Sequence, residues 1–220
     1  MEIFMDTNTQ DIAKLRAQTG AGMMDCKKAL EEAGGGIDKA VDILREKGIA
    51  KAAKRAGKIA AEGVVASYIH AGGKTGVLLE INCETDFVAK TESFQNLVKD
   101  IAMHIAASSP RYISSEDVLP DEREKEKEIY RAQLKTEGKP NDIIEKIIEG
   151  KLKKFYSEAC LLEQPFIKDE DKTIGQLLIE KTSEIGEKIT VRRFARYELG
   201  EGIEKKKCDF VAEVEEQLAS

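Results

Sequence analysis

The apolar residues of this chain first change their period just after Ala61, and that switch limits the folds open to it. Before the switch the pattern is helical throughout. Thr7 and Gln10 have capping-box spacing ahead of a first helix that carries Ile12 and Leu15 and stops at Gly20. Cys26, Ala29, Leu30 and Ala33 follow at i, i+3, i+4 and i+7, one face of a second helix ending at Gly34-Gly35-Gly36. Ile37, Ala40, Val41 and Leu44 repeat the pattern in a third helix, for which Gly48 is the expected stop. Three short amphipathic helices broken by glycines make a small bundle. The alanine-rich tract from Ile49 to Ala61, with Lys51, Lys54, Arg55 and Lys58, reads as a helical linker with a solvated basic face.

After the switch, Val64 to His70 and Val77 to Cys83 flank the glycine-rich Ala71–Gly76 and predict a β-hairpin. A helix is predicted from about Ser93 to Ala107, with Phe94, Leu97, Val98, Ile101 and Ile105 on one face. Ile189 to Glu198 is a third strand. Between the second and third strands lies a helical insertion. Asp121 to Thr136 is densely charged, with Ile129 and Leu134 among its few apolar residues, and Gly138-Lys139-Pro140 turns the chain. The return helix carries Ile144, Ile148, Leu152, Phe155 and Ala159, so 121–159 reads as a projecting antiparallel helical hairpin, a short coiled coil, closed by Pro165. Phe210, Val211, Val214 and Leu218 mark a short C-terminal helix. The fold class is therefore α+β. Its expected parts are a helical domain over 1–56, a core over 57–200 containing the hairpin, and a C-terminal module over 201–220.

Composition narrows the function. With 220 residues, 41% hydrophobic and 35% charged, the chain can bury a core beneath a highly charged surface. A net charge of -6 disfavours general nucleic-acid binding, which needs a basic face. No apolar run reaches the ~20 residues of a membrane span, and the start carries acid early, unlike a secretory signal. Cys26, Cys83, Cys160 and Cys208 are widely spaced, which fits reduced thiols rather than a zinc site and points to the cytoplasm.

Catalytic chemistry finds no residues. Gly73-Lys74-Thr75 looks like the tail of a P-loop, but the earlier glycine position is Tyr68 and a strand follows instead of a helix. His70 and His104 lack ligand spacing and read as structural. No glycine-flanked nucleophile or dinucleotide fingerprint occurs. No cofactor, metal site or enzyme activity is expected.

Three segments carry a family resemblance over nearly the whole chain: Leu15 through Glu31, Asn82-Cys83-Glu84-Thr85-Asp86-Phe87-Val88-Ala89, and Gly138-Lys139-Pro140 through Gly150 with the later Gln164-Pro165-Phe166. In this order and spacing the chain resembles the elongation factor Ts family. The resemblance implies a non-enzymatic translation factor that exchanges guanine nucleotide on elongation factor Tu, binding its GDP form and leaving it empty. It also implies that the first bundle is similar to a ubiquitin-associated domain and that the core dimerises. Longer relatives carry two related core halves. The single half here leads to the expectation of a homodimer binding two GTPase molecules.

On composition alone Phe87, between a strand and a helix, reads as a core plug in a loop. The resemblance reverses that reading. It implies that Thr85, Asp86, Phe87 and Val88 displace magnesium from the GTPase, with Phe87 as wedge and Asp86 as its polar companion. The resemblance likewise places Arg16, Met23 and Met24 against the GTPase's nucleotide domain. Two adjacent methionines cannot both face inward on one helix, and thioethers suit adaptable surfaces. Phe210, Val211, Val214 and Leu218 are candidates for a further contact or, equally, for a helix packed on the chain's own body. The rival reading is a ubiquitin-associated-like adaptor without exchange activity, which would not need the Phe87 segment.

Overall fold

The computed structural model describes residues 8–137 and 140–203. Three helices come first: α1 (Thr9–Thr19), α2 (Met23–Glu32) and α3 (Ile37–Arg55). Asn8 is the N-cap of α1, its side-chain oxygen accepting from the Gln10 N–H at 3.1 Å; the cap expected at Thr7 lies outside the described residues. Gly20 ends α1 in the left-handed conformation. Leu15, Cys26, Ala29, Leu30 and Ala40 are fully buried and form the core of this bundle.

Gly48 does not stop α3, which runs on to Arg55 and absorbs most of the expected linker. The reason is tertiary. α3 lies against α8 (Ile174–Ile185), and a Cβ at Gly48 would meet the Ser183 hydroxyl at 3.4 Å. The missing side chain admits a close helix–helix approach, and packing along α3 outweighs the helix propensity lost at one glycine.

The core sheet has the antiparallel order β1 (Glu62–Ile69), β2 (Thr75–Cys83), β5 (Thr190–Glu198). β1 and β2 pair without a slip from Glu62↔Cys83 to Ile69↔Gly76, while β2 and β5 shift register once at Glu80/Ile81. His70 falls just past β1, its N–H donating to the Thr75 carbonyl at 2.9 Å. Alternate residues of β2, Val77, Leu79, Ile81 and Cys83, are buried against α5 (Glu92–Ser108). Phe94, Leu97, Val98, Ile101 and Ile105 of α5 face them, all buried, as the helical period predicted.

The insertion comprises α6 (Pro120–Thr136) and α7 (Asn141–Ala159), which pack through Leu134, Ile144, Ile148 and Leu152. Between it and the last strand the sequence pattern predicts no element. The structure fills that stretch with a two-stranded ladder, β3 (Pro165–Phe166) and β4 (Asp169–Thr173), and with α8. α8 carries a complete capping box, Thr173 and Gln176, and ends at Gly186 with φ 83°. The expected C-terminal helix lies outside the described residues. No described helix is long and apolar enough to cross a membrane.

His104 bolts the insertion to the body. It is fully buried on α5, and its Nδ1 accepts from the Ile167 N–H at 3.4 Å, so Nε2 carries the proton and donates to Gln164 Oε1 at 2.9 Å. Gln164 in turn donates to the carbonyls of Glu158 and Ser108 at 2.7 and 3.3 Å. Burial holds the His104 pKa below its ordinary 6.5. The unfolded chain therefore takes up this proton first, so stability is complete above pH 6.5 and is lost as pH falls through the folded value. Melting temperature should decline between about pH 6.5 and 5.5, where ordinary carboxylates do not titrate. His104→Asn should be less stable but flat over that window, and thermal melts across it check this.

Candidate functional site

The segment singled out in the sequence is not a loop. Thr85 is the N-cap of a single helical turn, α4 (Asp86–Ala89), set on the end of β2, with its hydroxyl accepting from the Val88 N–H at 3.4 Å. Four residues cannot sustain a helix alone. Contacts from elsewhere hold this one. The Cys83 thiol donates to the Thr85 carbonyl at 3.1 Å, the Gln95 amide to the Ala89 carbonyl at 2.7 Å, and the Thr91 hydroxyl to the Val88 carbonyl at 2.8 Å. Ala89 is buried and Val88 packs on the main core.

From the segment before β5, Glu187 takes both donors of Thr85: the hydroxyl at 2.7 Å through Oε1 and the backbone N–H at 3.0 Å through Oε2. One residue on, the Lys188 N–H donates to Glu84 Oε1 at 2.7 Å. Glu84 also receives Arg55 of α3, with Nη1 at 3.0 and 3.2 Å from its two oxygens. The Lys188 N–H, with Arg55 second, holds the Glu84 carboxyl below its ordinary 4.5. The Lys188 ammonium finally caps the end of α3 through the Ala56 and Lys58 carbonyls, at 2.7 and 3.0 Å. Helical bundle, β2 and β5 thus meet at the foot of α4.

Phe87 is left outside. Its ring is 78% exposed, although every neighbouring position of the turn is hydrogen-bonded or packed. Asp86 pairs with Lys90 at 2.7 Å, which keeps its carboxyl below the ordinary 3.8. Arg16 is exposed in the last turn of α1, and Met23 and Met24, the first residues of α2, are 58% and 63% exposed, so neither methionine serves the bundle core. Phe210, Val211, Val214 and Leu218 lie outside the described residues. A cleft of about 550 Å³ between the bundle and α8 is lined by Arg45, Lys51, Asp171 and Glu180 among others, and by none of the expected site residues. Among the described residues no cluster of three or more His, Cys, Asp or Glu side chains is placed to hold a metal ion.

The sequence gives Glu187, Lys188 and Gln95 no role and puts Arg55 on a solvated basic face, where the structure pairs it with Glu84. The partners of Glu187 and Lys188 lie 102 and 104 residues away and that of Arg55 lies 29 away, separations that no local pattern encodes, whereas Gln95 reaches back only six residues to Ala89. Glu84 was within reach as the residue before Thr85, but only its contacts give it a role.

Comparison with known proteins agrees with this architecture. The family model described as Elongation factor TS matches residues 1–201. The protein called elongation factor Ts of Desulforamulus reducens is 63% identical over 207 residues, covering 94% of this chain and 95% of the relative. Those of Desulfitobacterium hafniense and Alkaliphilus oremlandii are 58% and 60% identical, covering 97% and 98% of this chain and 98% and 99% of theirs. These matches place the chain, an α+β protein with a helical bundle and a small antiparallel sheet, among the translation elongation factors. Specifically, the chain belongs to the elongation factor Ts family.

Thr85→Ala removes the cap of α4 and one of the two bonds to Glu187. It should lower unfolding free energy by about 1 kcal/mol without changing the far-ultraviolet spectrum, as measured by urea titration.

Proposed function

We propose that this chain is the guanine-nucleotide exchange factor of elongation factor Tu and that it releases GDP by pressing Phe87 into the GTPase beside its magnesium and phosphate site. The observation that carries this reading is the exposed ring on an otherwise fixed turn. Leaving a phenylalanine in water forgoes roughly 1.5–3 kcal/mol of burial, which a partner pocket recovers. A fixed mount spares the ordering cost that a mobile loop incurs on binding. Magnesium needs near-ideal octahedral geometry from few ligands, so a small shift of its supports weakens it. Asp86 then serves partner donors uncovered by the shift, and Thr85 and Val88 set the shape of the turn. Linkage is reciprocal: the factor lowers nucleotide affinity by the same ratio as nucleotide lowers affinity for the factor.

Arg16, Met23 and Met24 form a second contact, on the nucleotide-binding domain of the GTPase. Two exposed thioethers beside a guanidinium suit a surface that must follow a moving partner. Phe210, Val211, Val214 and Leu218 are assigned to a third. The chain acts in the cytoplasm, without a cofactor and without nucleic acid.

A homodimer completes the assembly. The sheet face opposite α5 is uncovered, with Val65, Ile69, Leu78 and Tyr197 exposed across three adjacent strands beside the Glu80–Arg193 ion pair. A second copy laid on this face would bury both and give a complex of two factors with two GTPases. Light scattering at micromolar concentration should report twice the chain mass, and a monomer would refute the pairing.

Release of labelled GDP from elongation factor Tu tests the main reading. The chain should accelerate it, and Phe87→Ala should abolish most of the acceleration while leaving the fold intact. Unchanged release by Phe87→Ala would instead favour an adaptor that uses only the helical bundle.

A further inference from the structure

The structure assigns Glu187 as the positioning residue for Phe87, setting how fast nucleotide leaves rather than how tightly the factor docks; this rests on the exchange reading above. α4 is too short to hold its own direction. It is held locally by Cys83, Thr91 and Gln95, all close in the chain to the turn itself. Glu187 alone among its hydrogen-bond partners comes from a distant part of the chain, the segment leading into β5, and it grips the cap residue through both oxygens.

The grip is reciprocal. Glu187 accepts from Thr85 while its neighbour Lys188 donates to Glu84, so two adjacent residues from each segment exchange carboxylate and backbone N–H. Such a pair of crossed bonds fixes both separation and twist, whereas one bond would act as a pivot. Gly186, at φ 83°, turns the chain sharply after α8 and brings Glu187 to this place. The rest of the cross leads through Arg55 and the Lys188 ammonium to the end of α3. Orientation of the ring is thereby tied to the bundle carrying Arg16, Met23 and Met24, and both contacts can meet the GTPase in one fixed spacing.

Glu187 belongs to no exposed contact of its own. Removing it leaves the ring, the bundle contact and the core in place but lets α4 swing. Docking should survive, and the step in which the ring displaces the magnesium supports should suffer, because a small misplacement costs far more in rate than in binding.

Labelled-GDP release from elongation factor Tu, followed against factor concentration, separates the two quantities. Glu187→Ala should lower the maximal rate about tenfold with half-saturation changed less than about twofold. Glu187→Gln should recover most of the rate, since its amide oxygen takes the Thr85 N–H and its amide nitrogen donates to the Thr85 hydroxyl. Phe87→Ala combined with Glu187→Ala should be no slower than Phe87→Ala alone, the non-additivity of residues acting as one unit. If circular dichroism shows Glu187→Ala unfolded, Glu187→Asp, whose carboxylate is drawn back by one methylene from both Thr85 donors, carries the same expectations. A wild-type maximal rate in the folded alanine variant, an equal loss in Glu187→Gln, or additive losses with Phe87→Ala would overturn the assignment. If Phe87→Ala alone leaves release unchanged, the exchange reading itself falls.

Discussion

Strand β2 is hydrogen-bonded on both sides, to β1 through eight residue pairs and to β5 across a single register shift. Its alternate residues Val77, Leu79, Ile81 and Cys83 form the floor on which α5 packs. A strand held on two edges and one face cannot bend, so whatever stands on its end is aimed by the core. α4 stands there. The stiffness of the sheet thus passes, through Cys83 and Glu84, to a turn that would have no stable direction in isolation.

The electrostatics at the foot of α4 follow the same logic. Glu84 and Glu187 are acceptor-only groups placed where backbone N–H donors and an arginine converge. Half-exposed ion pairs of this kind contribute little to global stability. The value of these two carboxylates is geometric: their bonds to the Thr85 and Lys188 N–H groups tie segments 102 and 104 residues apart, and Arg55 adds the end of α3. The uncovered sheet face and the exposed Phe87, Met23 and Met24 are the opposite case, apolar surface that the chain leaves unsatisfied. Both arrangements are intelligible in a protein built to meet partners rather than to enclose a substrate.

Much of this architecture was legible from periodicity. The buried stripe of α5, the three strands and the two long helices of the insertion lie within a few residues of their expected bounds, because each buries one face and its apolar spacing records that face. α8 carries local signals of its own in the Thr173–Gln176 capping-box spacing and Gly186. Gly48 misled for a physical reason. Glycine both stops helices and admits close packing, and only the approach of Ser183 distinguishes the two.

By itself the sequence determined the α+β class, the helical core positions of the bundle and of α5 and, through its motifs, the family. Local spacing and composition suffice for these, since they depend on contacts within one helix or one hairpin. Only the tertiary structure decided that Thr85 to Val88 is a capped turn, that Phe87 points to solvent, and that Glu187 and Arg55 converge on its base. Exposure of a phenylalanine and the pairing of a carboxylate with a threonine 102 residues away are set by how β2, β5 and α3 come together. No stretch of chain carries that information alone.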